Sequence, residues 1–299
     1  MSTKIPRCPR PFGCMTQSPT RLSAGHAGFA FAVLLVASAS ALAATAPPLG
    51  STSTYAVVSG TFTNANTSPQ TILNGTATQP AVCYTTAPVT PPLTITGTTI
   101  VPCPPATGVD QGLALANLNG QPCVSLGAGA ITLDSVIIGA NPPGTIPPGC
   151  YSSGGAMNVT ASTTVTLSGA GVYVFRPGGA LTTGANSLVT LAGGACASDV
   201  FWAPVGAASL GANAALSPTP TFVGNILDAA GISIGHFAHL TGRALAFGGT
   251  VTTDAATITV PTCAPFGSLA IPTLPEWAMI MLAGLLAFAG FAALRRQDK

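Results

Sequence analysis

Met157-Asn158-Val159-Thr160-Ala161-Ser162-Thr163-Thr164-Val165-Thr166-Leu167 is a short strand, a tight turn and a second strand, and the chain returns to this unit. The first strand recurs as Leu181-Thr182-Thr183, Ala208-Ser209-Leu210, Ile232-Ser233-Ile234 and Val251-Thr252-Thr253. The turn recurs as Gly184-Ala185-Asn186, Gly211-Ala212-Asn213, Gly235-His236-Phe237 and Asp254-Ala255, and the second strand is clearest again in Ala256-Thr257-Ile258-Thr259-Val260. The central residues Asn158, Thr182, Ser209, Ser233 and Thr252 stand 24, 27, 24 and 19 residues apart. Self-similarity at that period is the mark of stacked coils, each burying its apolar face against the next. The pattern predicts an all-β chain built as a β-solenoid.

Strand side chains alternate between two faces. Val165, Val189, Leu216, Leu240 and Ile258 are therefore expected to form one inward column. Leu167, Leu191 and Val260 belong to its neighbour, interrupted at Pro218 and Gly242. Outward stand Thr166, Thr190, Ser217, Thr241 and Thr259 on the second strand, and the small polar central residues on the first. Threonine also suits strands through β-branching alone, so either ladder by itself has a purely structural explanation.

Composition narrows the classes. The chain has 299 residues, 35 of them Gly and 27 Pro, with 5% charged and 47% hydrophobic. Between residues 44 and 270 the basic residues are Arg176 and Arg243, against Asp110, Asp134, Asp199, Asp228 and Asp254. Such a domain lacks the basic footprint of a nucleic-acid binder. The aspartates are scattered, with no acid/base pair implied by spacing. His236 and His239 read as solvent-facing, with no third ligand in view, so no metal or other cofactor and no enzymatic activity are expected.

Residues 1–43 read as a secretory signal for signal peptidase: Lys4, Arg7, Arg10 and Arg21 precede an apolar stretch from Gly28 to Leu42, and Ala41-Leu42-Ala43 offers a cleavage pattern. Residues 44–270 form the mature domain. Tyr55–Thr63, Gln70–Leu73 and Leu93–Val101 are strand candidates closing one end of the solenoid. Asp110–Leu118 is a short helix candidate and Thr132–Ile138 a strand candidate. Beyond the signal remain Cys83, Cys103, Cys123, Cys150, Cys196 and Cys263, an even set that suits disulfides in an exported chain. Fifteen connectivities are open if all six pair. Sequence order favours Cys83–Cys103, Cys123–Cys150 and Cys196–Cys263.

Gly171-Val172-Tyr173-Val174-Phe175, Val200-Phe201-Trp202, Phe222-Val223-Gly224-Asn225-Ile226-Leu227 and Gly242-Arg243-Ala244-Leu245-Ala246, set around Thr-rich rungs, resemble the microbial ice-binding-protein-like family. The likeness runs from about Pro148 to Cys263, with a fainter one from Tyr55 to Gly75. It implies a discontinuous β-solenoid of roughly triangular section with a packed helix, and ice as the partner of one flat, regular face. Some members carry Thr-Ala/Gly-x-Thr/Asn at the turn. Thr160-Ala161-Ser162-Thr163 and Thr183-Gly184-Ala185-Asn186 match it, and Leu210-Gly211-Ala212-Asn213 nearly does. The candidate ice-contact set is therefore Thr160, Thr163, Thr166, Thr182, Thr183, Asn186, Thr190, Ser209, Asn213, Ser217, Thr241, Thr252 and Thr259.

Ile271-Pro272-Thr273-Leu274-Pro275-Glu276-Trp277 resembles the IPTL-CTERM sorting signal, with an apolar run to Leu294 and then Arg295-Arg296. Residues 277–294 would reach roughly 27 Å as a transmembrane helix, enough to cross a bilayer. The arginines place the tail on the cytoplasmic side and the domain outside. This resemblance implies an exosortase-like processing enzyme as a partner, and residues 271–299 as a sorting segment.

Overall fold

The structure is a computed structural model that describes residues 43–65, 70–74, 80–86, 94–96, 98–214 and 221–263. The expected signal segment, the sorting motif, the apolar run 277–294, Leu216 and Ser217 lie outside the described residues. Among the described residues no helix is long and apolar enough to cross a membrane.

Nearly every strand runs parallel to its neighbours, and each coil contributes three strands to three faces. Met157–Val159, Thr164–Ser168 and Tyr173–Pro177 make one coil. Leu181–Thr183, Leu188–Ala192 and Val200–Trp202 make the next, in register with it. The coils then tighten at the corner between the second and third faces. Phe222–Leu227 crosses both of those faces as one strand, and His239–Thr253 continues through all three. The bends fall at Gly224, where φ is +111°, and at Gly242, where an added Cβ would sit 1.8 Å from the Gly224 carbonyl oxygen. No side chain fits there.

Alternation fills the interior as the pattern requires. Val165, Val189, Leu240 and Ile258 are all fully buried. The third coil departs from the expectation of Leu216 in this column. The Val189 N–H donates to the Thr221 carbonyl, and Phe222 pairs with Leu240, so Phe222 takes the place. The neighbouring column breaks at Gly224 and Gly242, which face each other across the ladder. Tyr151, Phe175, Trp202 and Phe222 stack through the core with ring centroids 5.7, 4.1 and 5.0 Å apart.

The stack is discontinuous in sequence. Val57–Asn64 lies against the last C-terminal coil, Val57 beside Ala244 and Phe62 beside Val251. Ile72–Asn74 follows the C-terminal strand Thr257–Thr259, and further N-terminal strands stack beyond. The N-terminal strands thus close one end, as expected.

Helix α1 spans Pro105–Gly120, longer at both ends than Asp110–Leu118. Proline at the first helical position needs no N–H partner, so the Pro-Pro step starts the helix rather than blocking it. Ala114 and Leu118 bury against a cluster containing Val58, Val174, Phe201 and Leu245, covering the third face. The expected strand Thr132–Ile138 is also corrected. Only Ile131–Thr132 pairs, and Leu133–Ser135 turns as a 3-10 helix with Leu133 buried. All three disulfides favoured by sequence order form.

Candidate functional site

With the third face under α1, two sheet faces remain open, and the first is the more regular. Thr132 pairs with Asn158, Asn158 with Thr182, Thr182 with Ser209, Ser209 with Ser233, Ser233 with Thr252 and Thr252 with Thr63. This is an unbroken outward ladder of seven small polar residues. At the usual strand spacing it runs about 29 Å. Two positions earlier in each strand stand Ala130, Ala156, Ala180, Ala207, Gly231, Thr250 and Thr61, none larger than threonine. Two positions later stand Asp134, Thr160, Gly184, Gly211, Gly235, Asp254 and Ala65. Both carboxylates lie in this marginal column. Asp134 accepts the Thr160 N–H at 2.8 Å, and Asp254 Oδ1 meets His236 Nδ1 at 3.1 Å.

The ladder is held by its own chemistry. The Thr182 hydroxyl donates to the Asn158 side-chain oxygen. Beneath it run Met157, Leu181, Ala208, Ile232 and Val251, all buried. Side chains so braced have little conformational entropy left to lose on contact.

The second face is less even. Thr145, Thr166 and Thr190 align, as do Thr241, Thr259 and Asn74. Between the two runs Val223 takes the position expected for Ser217 and is buried. The Asn74 side chain donates to the Thr259 hydroxyl at 3.2 Å. In the next outward column Leu188 and His239 stand among threonines.

The candidate residues therefore do not share one plane. Thr182, Ser209 and Thr252 are on the first face, and Thr166, Thr190, Thr241 and Thr259 on the second. Thr160, Thr163, Asn186 and Asn213 ride the corner between them. There Ser162, Asn186, Phe237 and Ala255 adopt positive φ at equivalent turn positions. Asparagine tolerates that conformation best, and the Asn186 side-chain oxygen accepts the Ala214 N–H at 2.8 Å. The Thr163 hydroxyl turns back to the Thr160 carbonyl at 2.7 Å.

Thr183 stands apart from the other candidates. It pairs with Val159 and precedes the Gly184 turn, so it shares the inward phase of Val159, Leu210 and Ile234. Its hydroxyl accepts the Gly211 N–H at 2.9 Å. Strand phase turns it toward the inside, and at the strand's end it stays half-buried. Sequence reasoning missed Thr132 and Thr63, the two ends of the ladder. Thr132 lay inside a strand drawn too long, and Thr63 belongs to a strand whose partner is distant in sequence.

Among the described residues no three His, Cys, Asp or Glu side chains are grouped to hold a metal ion. What the fold presents is a rigid β-solenoid with one flat, uncharged array of small residues. A protein of that class offers a surface rather than a pocket.

The chain belongs to the ice-binding-like family, whose model matches residues 35–259. The IPTL-CTERM motif matches residues 270–296. An ice-binding protein of Flavobacterium frigoris is 32% identical over 136 residues, covering 45% of this chain and 47% of that protein. The chain thus spans about half the length of this relative. An ice-binding protein structure from the Antarctic ascomycete Antarctomyces psychrotrophicus superposes with a TM-score of 0.59 at 25% identity, covering 73% of this chain and all of that one. The domain of a Shewanella frigidimarina ice-binding protein has a TM-score of 0.57 at 22% identity, covering 74% of this chain and 100% of its own, a likeness of fold alone.

Proposed function

We propose that the protein is an exported, surface-tethered, non-enzymatic ice-binding protein that meets ice with its first face. The observation that carries this reading is the unbroken register from Thr132 to Thr63. A crystal surface is periodic and cannot adapt, so its partner must be flat, regular and already ordered. Small hydroxyls and methyls repeating at about 4.8 Å meet that demand, whereas a charged side chain would hold its own hydration shell in a competing geometry. The first face keeps its carboxylates at the margin. The second is interrupted at Val223, and the third is covered. The family and its ice-binding relatives support ice as the partner. The sorting motif supports export and surface tethering, with an exosortase-like enzyme acting at 271–277 and a membrane span at 277–294.

The test is ice-affinity partitioning and recrystallisation inhibition by the purified 44–270 segment. Ser209→Tyr, raising a ring from the middle of the ladder, should abolish both activities, while Thr190→Tyr on the second face should leave them. The reverse result moves the contact to the second face. A correctly folded wild type without activity overturns the ice reading and leaves a structural surface module.

A further inference from the structure

The corner between the third face and the first is laid out alike in four successive coils. Ser153, Pro177, Pro204 and Asp228 occupy its equivalent position, and Met157, Leu181, Ala208 and Ile232 open the first-face strand four residues later each time. The next two coils depart from this: Ala246 stands five residues before Val251, and Ser59 three before Phe62. Asp228 thus sits in the last regular corner, where coil length begins to vary. The ladder crosses that point unbroken.

What holds the corner also changes at Asp228. In the two preceding coils the backbone ties it down the stack. Gly178 and Gly179 donate to the Ser153 and Gly155 carbonyls, and Val205 and Gly206 to those of Pro177 and Gly179. At the next corner φ is +132° at Gly231, where the three preceding coils carry alanine. The Ala230 N–H turns to Asp228 Oδ1 at 2.7 Å, and the Gly231 N–H lies against the same carboxylate. Across the coil boundary Oδ2 accepts the Ala208 N–H at 2.8 Å, a donor that also reaches the Gly231 carbonyl at 3.0 Å. Asp228 is fully buried. The two described arginines are engaged elsewhere, Arg176 with the Gln121 carbonyl and Arg243 with the Asn225 side chain and the Ser53 carbonyl. Three backbone N–H groups therefore gather round the buried charge.

Ala208 leads into Ser209, and Gly231 through Ile232 into Ser233, the fourth and fifth of the seven ladder residues. We infer that Asp228 is a positioning residue for the ladder: from inside the corner its carboxylate sets the Ser209 and Ser233 rungs against each other, so that the array stays flat where the coils become unequal. This rests on the proposed ice contact at the first face, which Asp228 itself does not reach. A carboxylate suits the place because it only accepts, and its two oxygens offer about four lone-pair sites to the three donors. An amide of the same shape turns its own N–H groups against at least one of them.

The test compares the full chain as wild type, Asp228→Asn and Asp110→Asn. Asp110 clamps α1 to Ser51, so its variant controls for a general loss of stability. In Asp228→Asn, hydrogen exchange read by mass spectrometry should speed up roughly tenfold in peptides covering 205–211 and 228–234, about what one buried hydrogen bond contributes. Peptides covering Met157–Val159 should keep the wild-type rate. Ice-affinity partitioning of folded Asp228→Asn should fall several-fold, while Asp110→Asn partitions like the wild type even where its melting temperature is lower. Should Asp228→Asn not fold, Asp228→Ser takes its place, since Ser153 fills the equivalent position in an earlier coil. Failure of both to fold makes Asp228 a residue of the fold alone and overturns the inference. Unchanged exchange at the two corners, unchanged partitioning, or an equal drop in Asp110→Asn overturns it as well. A wild type without ice affinity overturns the ice reading beneath, whereas the exchange pattern reports on Asp228 without ice.

Discussion

Thr182 and Thr183 are neighbours in sequence on opposite sides of one strand, both half-buried, and replacing each with tyrosine tests the two phases of that strand. Thr183 shares the inward phase of Val159 and Leu210, and its hydroxyl takes up the Gly211 N–H. A tyrosine there crowds a half-buried site against the Gly211 turn, which costs up to about 1–3 kcal/mol. It also strips the Gly211 N–H of its acceptor, for another ~1–3 kcal/mol if the group stays dry. The Thr183→Tyr domain should therefore lose about 2–5 kcal/mol. With a urea m-value near 2.5 kcal/mol/M, its unfolding midpoint should drop by roughly 1–2 M. Thr182→Tyr gives up one half-exposed hydrogen bond to Asn158 and should shift stability by no more than about 1 kcal/mol. The activities should order the other way. Thr182→Tyr, fully folded, should lose ice affinity, while whatever fraction of Thr183→Tyr remains folded should keep it. Urea titration followed by circular dichroism, with recrystallisation inhibition on the same samples, reads both quantities. A stable Thr183→Tyr beside an unfolded Thr182→Tyr would mean the strand is slipped by one residue, reversing every inside and outside assignment along it.

Asn225→Leu should destabilise the domain by about 3–5 kcal/mol in the same titration, because it orphans two carbonyls and one arm of the buried Arg243 guanidinium. Burial alone already lowers the Arg243 pKa to about 10, so the charge has little solvent to fall back on. Asp110 accepts both the N–H and the hydroxyl of Ser51, which hold its carboxyl below its ordinary value. A depressed carboxylate stabilises the fold above its unfolded pKa, and that contribution disappears as pH falls through the folded one. Thermal melting should thus show stability falling below about pH 4, with a shallower fall in Asp110→Asn; identical pH profiles would refute the clamp.

Much of the architecture could be read from the strand–turn–strand period, because a stacked coil writes its register into the sequence. Asn158, Thr182, Ser209, Ser233 and Thr252 were assigned to one outward column from their spacing, and they pair directly. The misreadings came where coils stop being equal. Leu216 was matched to Val189 by counting along a coil of constant length, but the third coil carries extra residues before its second strand, and Phe222 fills the column. Thr183 entered the candidate set through a local motif that ignores strand phase, and it lies half-buried on the phase of Val159. Thr63 and Thr132 were missed because the first pairs across the discontinuity and the second stands where a turn cuts a strand short. Two adjacent polar ladders also look alike in sequence. Only the pairing shows that one runs unbroken while the other meets Val223.

The interleaving of the two chain ends has a kinetic consequence. Val57–Asn64 finds its first-laid neighbour in Ala244–Thr253, nearly the whole domain away, and then serves as the template for Pro80–Thr86. A chain emerging from its N-terminus can pair the strands before α1 with one another, but they join the rest of the stack only once the last coil has appeared. The middle coils, by contrast, can add to one another locally as they arrive. Closing so long a loop is the slow event in such a topology. Folding should therefore proceed as a growing stack that waits for its lid, with hydrogen-exchange protection of Val57–Asn64 and Thr257–Thr259 arriving late and together.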